Sequence, residues 1–190
     1  MSVNFKDVVN ARKRIIDYIY RTPLDKSMYL SNDDTNIYLK LECQQGMKCA
    51  KLRGALSKLT SLSLDEIERG IVAISSGNHG AAVSYGSHLL GIKNVTIYVP
   101  ETTPKSKVEK IEYYGANVVK AGDNYDEVHE IGLERIKNND SIFIDSCSDK
   151  EVIAGQGTIA MEIFEQHPKI DTILVPVAGG GILTGISVAA

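Results

Sequence analysis

The sequence predicts an α/β protein built around a parallel sheet with helices on both faces, and three observations carry that expectation. From Gly70 onward, short β-branched runs alternate with amphipathic helical stretches, and strand–helix–strand units of this kind close as right-handed parallel crossovers. Glycines stand where helices should stop. The composition, 43% hydrophobic and 24% charged over 190 residues, suits a globular chain with a substantial core.

Asn4 and Asp7 form an N-terminal helix signature, and Val8, Ala11, Ile15, Tyr18 and Ile19 recur on one face, so the first helix is expected to run to about Tyr20. Thr22-Pro23-Leu24 cannot continue it, and an extended segment through Met28 to Leu30 should follow. Ser31 to Thr35 is turn chemistry, Ile37 to Leu41 reads as a strand, and Leu52, Leu56 and Leu59 mark the next helix. The alternation then gives strand Ile71 to Ile74, helix His79 to Leu90, strand Val95 to Val99 and helix Lys105 to Tyr114. It continues with strand Asn117 to Val119, helix Tyr125 to Ile136 and strand Ile142 to Ile144. Gly91 and Gly115 fall at helix C-caps. A helix from Val152 to Gln166 and a buried strand from Thr172 to Val177 complete the pattern, which runs into Ala178-Gly179-Gly180-Gly181 and a last apolar segment.

The 21 basic and 24 acidic residues are interspersed, which argues against a dedicated nucleic-acid surface. No apolar run approaches the roughly 20 residues that cross a bilayer, so no membrane association is expected. Nothing near Met1 reads as a secretory signal, which makes a cytoplasmic protein the default. Cys43, Cys49 and Cys147 form no CxxC pair, so reduced thiols are expected and no metal site.

Three loops stand at strand-to-helix junctions, where open α/β sheets place ligands. Ala178 to Leu183 is rich in residues that let backbone N–H groups turn inward toward an anion, though such a turn can serve tight packing alone. Ser75-Ser76-Gly77-Asn78-His79-Gly80 gathers hydroxyls, an amide and an imidazole at a helix start, as a carboxylate-binding loop or simply as an N-cap. Lys51 lies in the Glu42 to Gly54 loop and, taken singly, is an ordinary solvated lysine.

Together these segments resemble the fold-type II pyridoxal 5′-phosphate enzymes, in the threonine dehydratase and serine racemase branch. Lys40-Leu41-Glu42, Gln45 and Lys51-Leu52-Arg53-Gly54-Ala55 resemble the cofactor-lysine segment, and Ser75 to Gly80 the substrate loop. Ile153-Ala154-Gly155-Gln156-Gly157-Thr158 is similar to a further family segment, and Val175 to Gly181 resembles the phosphate loop. The likeness runs in order from Thr22 to the end of the sequence.

That resemblance implies a tryptophan synthase β-like fold, with residues 70–146 as a small substrate-loop domain inserted in a partial larger domain of residues 1–69 and 147–190. It implies pyridoxal 5′-phosphate as cofactor. Lys51 would hold it as a Schiff base and then act as general base, and Asn78 would bond the phenolic oxygen of the ring. Ala178, Gly179, Gly180, Gly181 and Ile182 would cradle the phosphate, while Ser75, Ser76 and His79 would surround the carboxylate of a small hydroxy amino acid. The implied reaction is a serine or threonine ammonia-lyase giving a 2-oxo acid and ammonia. Ser76, a second hydroxyl in the loop, keeps serine racemisation as an alternative and is counted as catalytic with Lys51. Two segments depart from the family pattern: Cys49-Ala50 replaces Ser-Phe, and Ala178 replaces glycine. Because the sequence stops at Ala190 within an apolar segment, the expectation is a truncated chain, weak or inactive alone. It would be completed by a homo-oligomer or by a partner covering the missing part. A non-catalytic fragment serving as a binding or assembly module is the competing class, and a nucleotide-binding protein a third.

Overall fold

The computed structural model describes residues 2–190, and its first helix, α1 (Phe5–Ile15), begins where sequence chemistry puts it. Asn4 and Asp7 exchange backbone hydrogen bonds in a capping box. The helix stops short of Tyr20, because the Tyr18 N–H bonds back to the Ile15 carbonyl and turns the chain. β1 (Leu24–Lys26) and β2 (Tyr38–Lys40) pair antiparallel. Between them, residues 28–30 are turned rather than extended: Ser27 Oγ accepts the Leu30 N–H at 3.2 Å, an interaction that competes locally with strand geometry.

Two short 3₁₀ turns, Glu42–Gln44 and Gly46–Lys48, lead into α2 (Lys51–Leu59). The sequence reading omits α3 (Leu64–Glu68), although its signal is present, since Ser63 and Glu66 form a second capping box. The parallel sheet comprises β3 (Ile71–Ile74), β4 (Val95–Val99), β5 (Asn117–Lys120) and β6 (Ile142–Phe143), in the spatial order β5-β4-β3-β6. α4 (Asn78–Leu89), α5 (Lys105–Glu112) and α6 (Tyr125–Asn139) make the crossovers. Gly91 and Gly115 end α4 and α5 at φ 71° and 91°, conformations that a β-carbon disfavours. The chain closes with α7 (Lys150–Gln166) and α8 (Gly181–Ala189).

Alternation along β3 divides the core. Ile71 and Ala73 join Leu52, Leu56, Leu59, Ile97 and Val152 on one face, while Val72 and Ile74 meet Tyr98 and Val128 on the other. The face toward α2 therefore carries the helix that begins at Lys51.

The strand expected from Thr172 to Val177 is not formed. Ile173 and Val175 pack against α7 and α8, whereas Leu174 is 88% exposed, so the two-residue alternation is present. A strand needs a ladder partner, and among the described residues none lies beside this segment.

One buried polar assembly ties these parts together. Arg53 is completely buried and grips two carboxylates, each through two hydrogen bonds: Nε and Nη2 to Glu42 at 2.8 Å, and Nη1 and Nη2 to Glu162 at 2.7 and 2.9 Å. Lys40 adds bonds to Glu162, the Thr22 carbonyl and Gln166. Burial alone would raise the Glu162 carboxyl, but Arg53 and Lys40 hold it below its ordinary value of 4.5. On Lys40 burial prevails and lowers the ammonium.

Replacing Arg53 by Leu leaves the buried Glu162 and the half-buried Glu42 without their shared guanidinium and is expected to cost about 3–5 kcal/mol in urea unfolding. Because Glu162 titrates lower when folded, its contribution is complete above pH 4.5 and is lost as pH falls below that value. Unfolding curves of Glu162→Gln should accordingly lack the part of the acid destabilisation that this carboxylate supplies.

Candidate functional site

The chain preceding Lys51 is unusual in its backbone. Met47 and Lys48 take φ 61° and 58°, left-handed values at two successive residues with β-carbons. Such conformations cost of order 1 kcal/mol each and persist where the surroundings enforce them. Here Gln45 enforces them: its side chain exchanges hydrogen bonds with the Tyr20 backbone and accepts the Gly46 N–H, and its carbonyl accepts the Lys48 N–H at 2.8 Å. Lys51 then opens α2 as a half-buried residue. Cys49, buried beside it, lies with Sγ 4.0 Å from the Asn78 carbonyl, and burial raises its thiol pKa so that it stays protonated. The lysine segment and the start of α4 are thus adjacent.

After β3, Ser75 and Ser76 are half-buried, and Gly77 and Asn78 are exposed at the mouth of α4. Ser75 Oγ accepts the Gly77 N–H at 3.2 Å. No side chain caps this helix, so the N–H groups of its first turn, on Asn78, His79 and Gly80, point out at a positively polarised terminus. A β-carbon on Gly80 would overlap the Ser75 carbonyl, which explains glycine at that position. The His79 ring does not open onto this loop. It is 4% exposed, and its Nε2–H donates to the Ile144 carbonyl at 2.9 Å. Burial chiefly, with a contribution from the Lys51 charge, holds it below the ordinary imidazole range.

The glycine turn is a second anion-ready terminus. Gly180 caps α8 at φ 86°, no side chain caps the helix, and Ala178 and Gly179 are exposed beside half-buried Gly180 and Ile182. Gly181 is buried at the first helical position. The turn rests on the segment after β6: a β-carbon on Gly179 would overlap Cys147 Sγ, and one on Gly181 would lie 2.8 Å from the Ser146 carbonyl. Sequence reasoning missed this supporting segment. Asp145 shapes it by accepting the N–H groups of Cys147 and Ser148 at 2.6 and 2.7 Å. Burial would raise its carboxyl, but those two bonds hold it below the ordinary range. The signal available in the sequence was Asp145-Ser146-Cys147-Ser148-Asp149 directly after a parallel strand, where a carboxylate folds the chain back on itself.

An uncapped helix N-terminus at the carboxyl end of β3, a second resting on the segment after β6, and a lysine at the head of a neighbouring helix make up an α/β arrangement of the kind that receives small anions. Residues 15–190 match the family described as pyridoxal-phosphate dependent enzyme, and this chain belongs to that family. It is 42% identical over 98% of its length to the catabolic L-threonine dehydratase of Staphylococcus aureus (strain USA300), of which it covers 54%. Among solved structures it superposes on maize serine racemase with a TM-score of 0.93 at 32% identity, covering 100% of this chain and 57% of that one. For the processed form of threonine deaminase isoform 2 from Solanum lycopersicum the TM-score is 0.91 at 31% identity, with 100% and 54% covered. The chain spans about half the length of the curated relatives it matches. The expected fold class, α/β with the fold-type II architecture, holds, and the family cofactor is pyridoxal phosphate. Among the described residues no group of side chains is arranged to hold a metal, and no helix is long and apolar enough to cross a membrane.

The residues present fit a phosphate. The turn is seated so closely on Cys147 that a β-carbon at Gly179 would displace it, and the N–H groups at the head of α8 have no side-chain cap. Gly179→Ala should therefore weaken pyridoxal phosphate binding at least tenfold. The overlap is with Sγ, whereas the Cys147 β-carbon lies at an ordinary 3.4 Å, so adding Cys147→Ala should recover most of the loss. Fluorescence titration of the two single variants and the double variant would display this coupling.

Proposed function

We propose that this chain holds pyridoxal phosphate and a small hydroxy amino acid for ammonia-lyase chemistry on serine or threonine, yielding a 2-oxo acid and ammonia. The observation that carries the reading is the glycine turn at the head of α8, seated on Cys147 and paired with an uncapped α4 terminus beside the Lys51 segment. The 42% identity to a threonine dehydratase supports the substrate class.

In this reading the N–H groups of Gly179, Gly180, Gly181 and Ile182 bind the phosphate, with Ala178 at the entrance. Asn78 bonds the phenolic oxygen of the ring. Ser75, Ser76 and the first-turn N–H groups of α4, His79 included, receive the substrate carboxylate. Pyridoxal phosphate held here would supply an electron sink that acidifies the Cα–H bond of an amino acid that has displaced the Lys51 amine. Lys51 Nζ, at the head of α2, removes that proton as general base. Cys49 Sγ beside Asn78 keeps water from the inner wall, although Ala50 offers no ring there. The reading includes two lobes, residues 1–69 with 147–190 and residues 70–146, and the cleft between them. It also includes a cytoplasmic setting, in keeping with three free thiols, and assembly into a homo-oligomer or with a covering partner.

Ser76, half-buried in the loop, favours a second reading as a serine racemase, in which its hydroxyl returns a proton to the face opposite Lys51. Formation of D-serine, lost in Ser76→Ala while pyruvate formation persists, would select it.

Incubation with pyridoxal phosphate followed by borohydride should place a stable adduct on Lys51 by mass spectrometry, and Lys51→Ala should abolish it while unfolding at the same temperature. An adduct mainly on Lys48 would overturn the assignment.

A further inference from the structure

The His79 side chain is a buried titratable group that the chemistry above does not use, and it sits between the two anion-ready termini. Its ring belongs to the first turn of α4, yet its hydrogen bond goes to Ile144, the residue that follows β6. Ile144 is fully buried and held in the sheet by its own N–H, which bonds to the Val72 carbonyl at 2.8 Å. The chain then passes directly into Asp145, whose carboxylate folds Cys147 and Ser148 back beneath the glycine turn. Cys147 and Ser146 are the atoms against which Gly179 and Gly181 rest. A continuous mechanical path therefore runs from the head of α4 through one imidazole to the head of α8.

The partner at Nε2 is a carbonyl, so Nε2 carries the proton and Nδ1 is left with a bare lone pair, and Nδ1 is buried without a partner. Leaving a buried acceptor unpaired is unfavourable, and a phenylalanine would avoid it. What a phenylalanine would lose is the bond to Ile144. We propose that His79 is a positioning residue: its neutral ring, through Nε2–H···O=C of Ile144, fixes the register of the substrate loop against the segment that supports the phosphate turn. The His79 group that meets the substrate is then the backbone N–H, and the imidazole acts at one remove. The proposal rests on the functional reading above for its consequence, and on the geometry alone for its tautomer.

The test has two arms. Nitrogen-15 correlation spectra of the native chain without cofactor, at neutral pH, should show His79 protonated at Nε2 and bare at Nδ1, and a proton on Nδ1 would overturn the proposal. This arm does not depend on cofactor binding, so a chain that failed to bind pyridoxal phosphate would count against the functional reading and leave the tautomer to decide here. In the second arm His79→Gln, whose amide can donate from nearly the position of Nε2, is compared with His79→Phe, which keeps the ring volume and loses the donor. His79→Gln should bind pyridoxal phosphate within about threefold of the native chain, and His79→Phe about tenfold more weakly, the loss of one net hydrogen bond. Thermal unfolding separates positioning from mere stability: the two variants should differ in cofactor affinity even where their midpoints coincide. Equal affinities for the two variants would overturn the proposal.

Discussion

Everything at this site hangs from a guanidinium that water cannot reach. Arg53 stands two residues beyond Lys51 on a helix whose other faces are also buried, so it cannot turn its charge outward. A buried cation is tolerable only when paired, and Arg53 is paired on both edges of its planar fork, by Glu42 from the loop before α2 and by Glu162 from α7. Lys40 completes a balance of two positive and two negative groups and adds the Thr22 carbonyl, which brings the β1–β2 hairpin into the same assembly. The planar fork admits few other arrangements. Once Glu42 and Glu162 are placed, the axial position and rotation of α2 follow, and with them the direction in which Lys51 leaves the helix.

The same constraint explains why the loop before the lysine can be strained. Two consecutive left-handed residues, Met47 and Lys48, would relax in a free loop, but this one is fixed at both ends. Glu42 is clamped by Arg53 at one end and α2 is packed into the main core at the other, while Gln45 ties the middle to Tyr20. Strain in a segment held this way is set by neighbours that gain more from their own contacts than the loop loses. It also delivers Cys49 against Asn78, so a constraint that begins at Arg53 reaches the head of α4.

What could be read from the sequence, and what could not, divides along the range of the forces involved. The parallel sheet and its crossovers were legible because alternation in Ile71–Ile74 and Val95–Val99, and glycines 91 and 115 at helix ends, are local signals. Helix starts at Asn4 and Lys105 were legible for the same reason. The strand at 172–177 was misjudged because its side-chain alternation is local whereas its ladder depends on a neighbour elsewhere. Residues 28–30 were misjudged because Pro23 restrains only the residue before it, and a turn closed on Ser27 by the Leu30 and Ser31 N–H groups sets the chain beyond β1. At the site, Lys51, the serine loop and the glycine turn were visible as motifs. The direction of the His79 ring was not, since it depends on Ile144, sixty-five residues away. Nor could any pattern show that Arg53 meets Glu162.

The division of labour between glycine and charge at the two helix heads completes the physical picture. Each terminus presents free N–H groups, and each lacks the Ser, Thr or Asp side chain that ordinarily satisfies them, although such residues stand nearby. At α4, Ser75 spends its hydroxyl oxygen on Gly77 rather than on the helix. At α8, glycine precludes a side-chain cap and lets the backbone settle onto Cys147 and Ser146. An uncapped helix end is a cost to the folded chain, one that Ser63, Asn124 and Asp149 remove at α3, α6 and α7, whereas α2 and α5 begin behind Ala50 and Pro104 with no side-chain cap. What sets α4 and α8 apart is the glycine at each N-cap, Gly77 and Gly180, which leaves the first-turn N–H groups open in the way the proposed anion sites require.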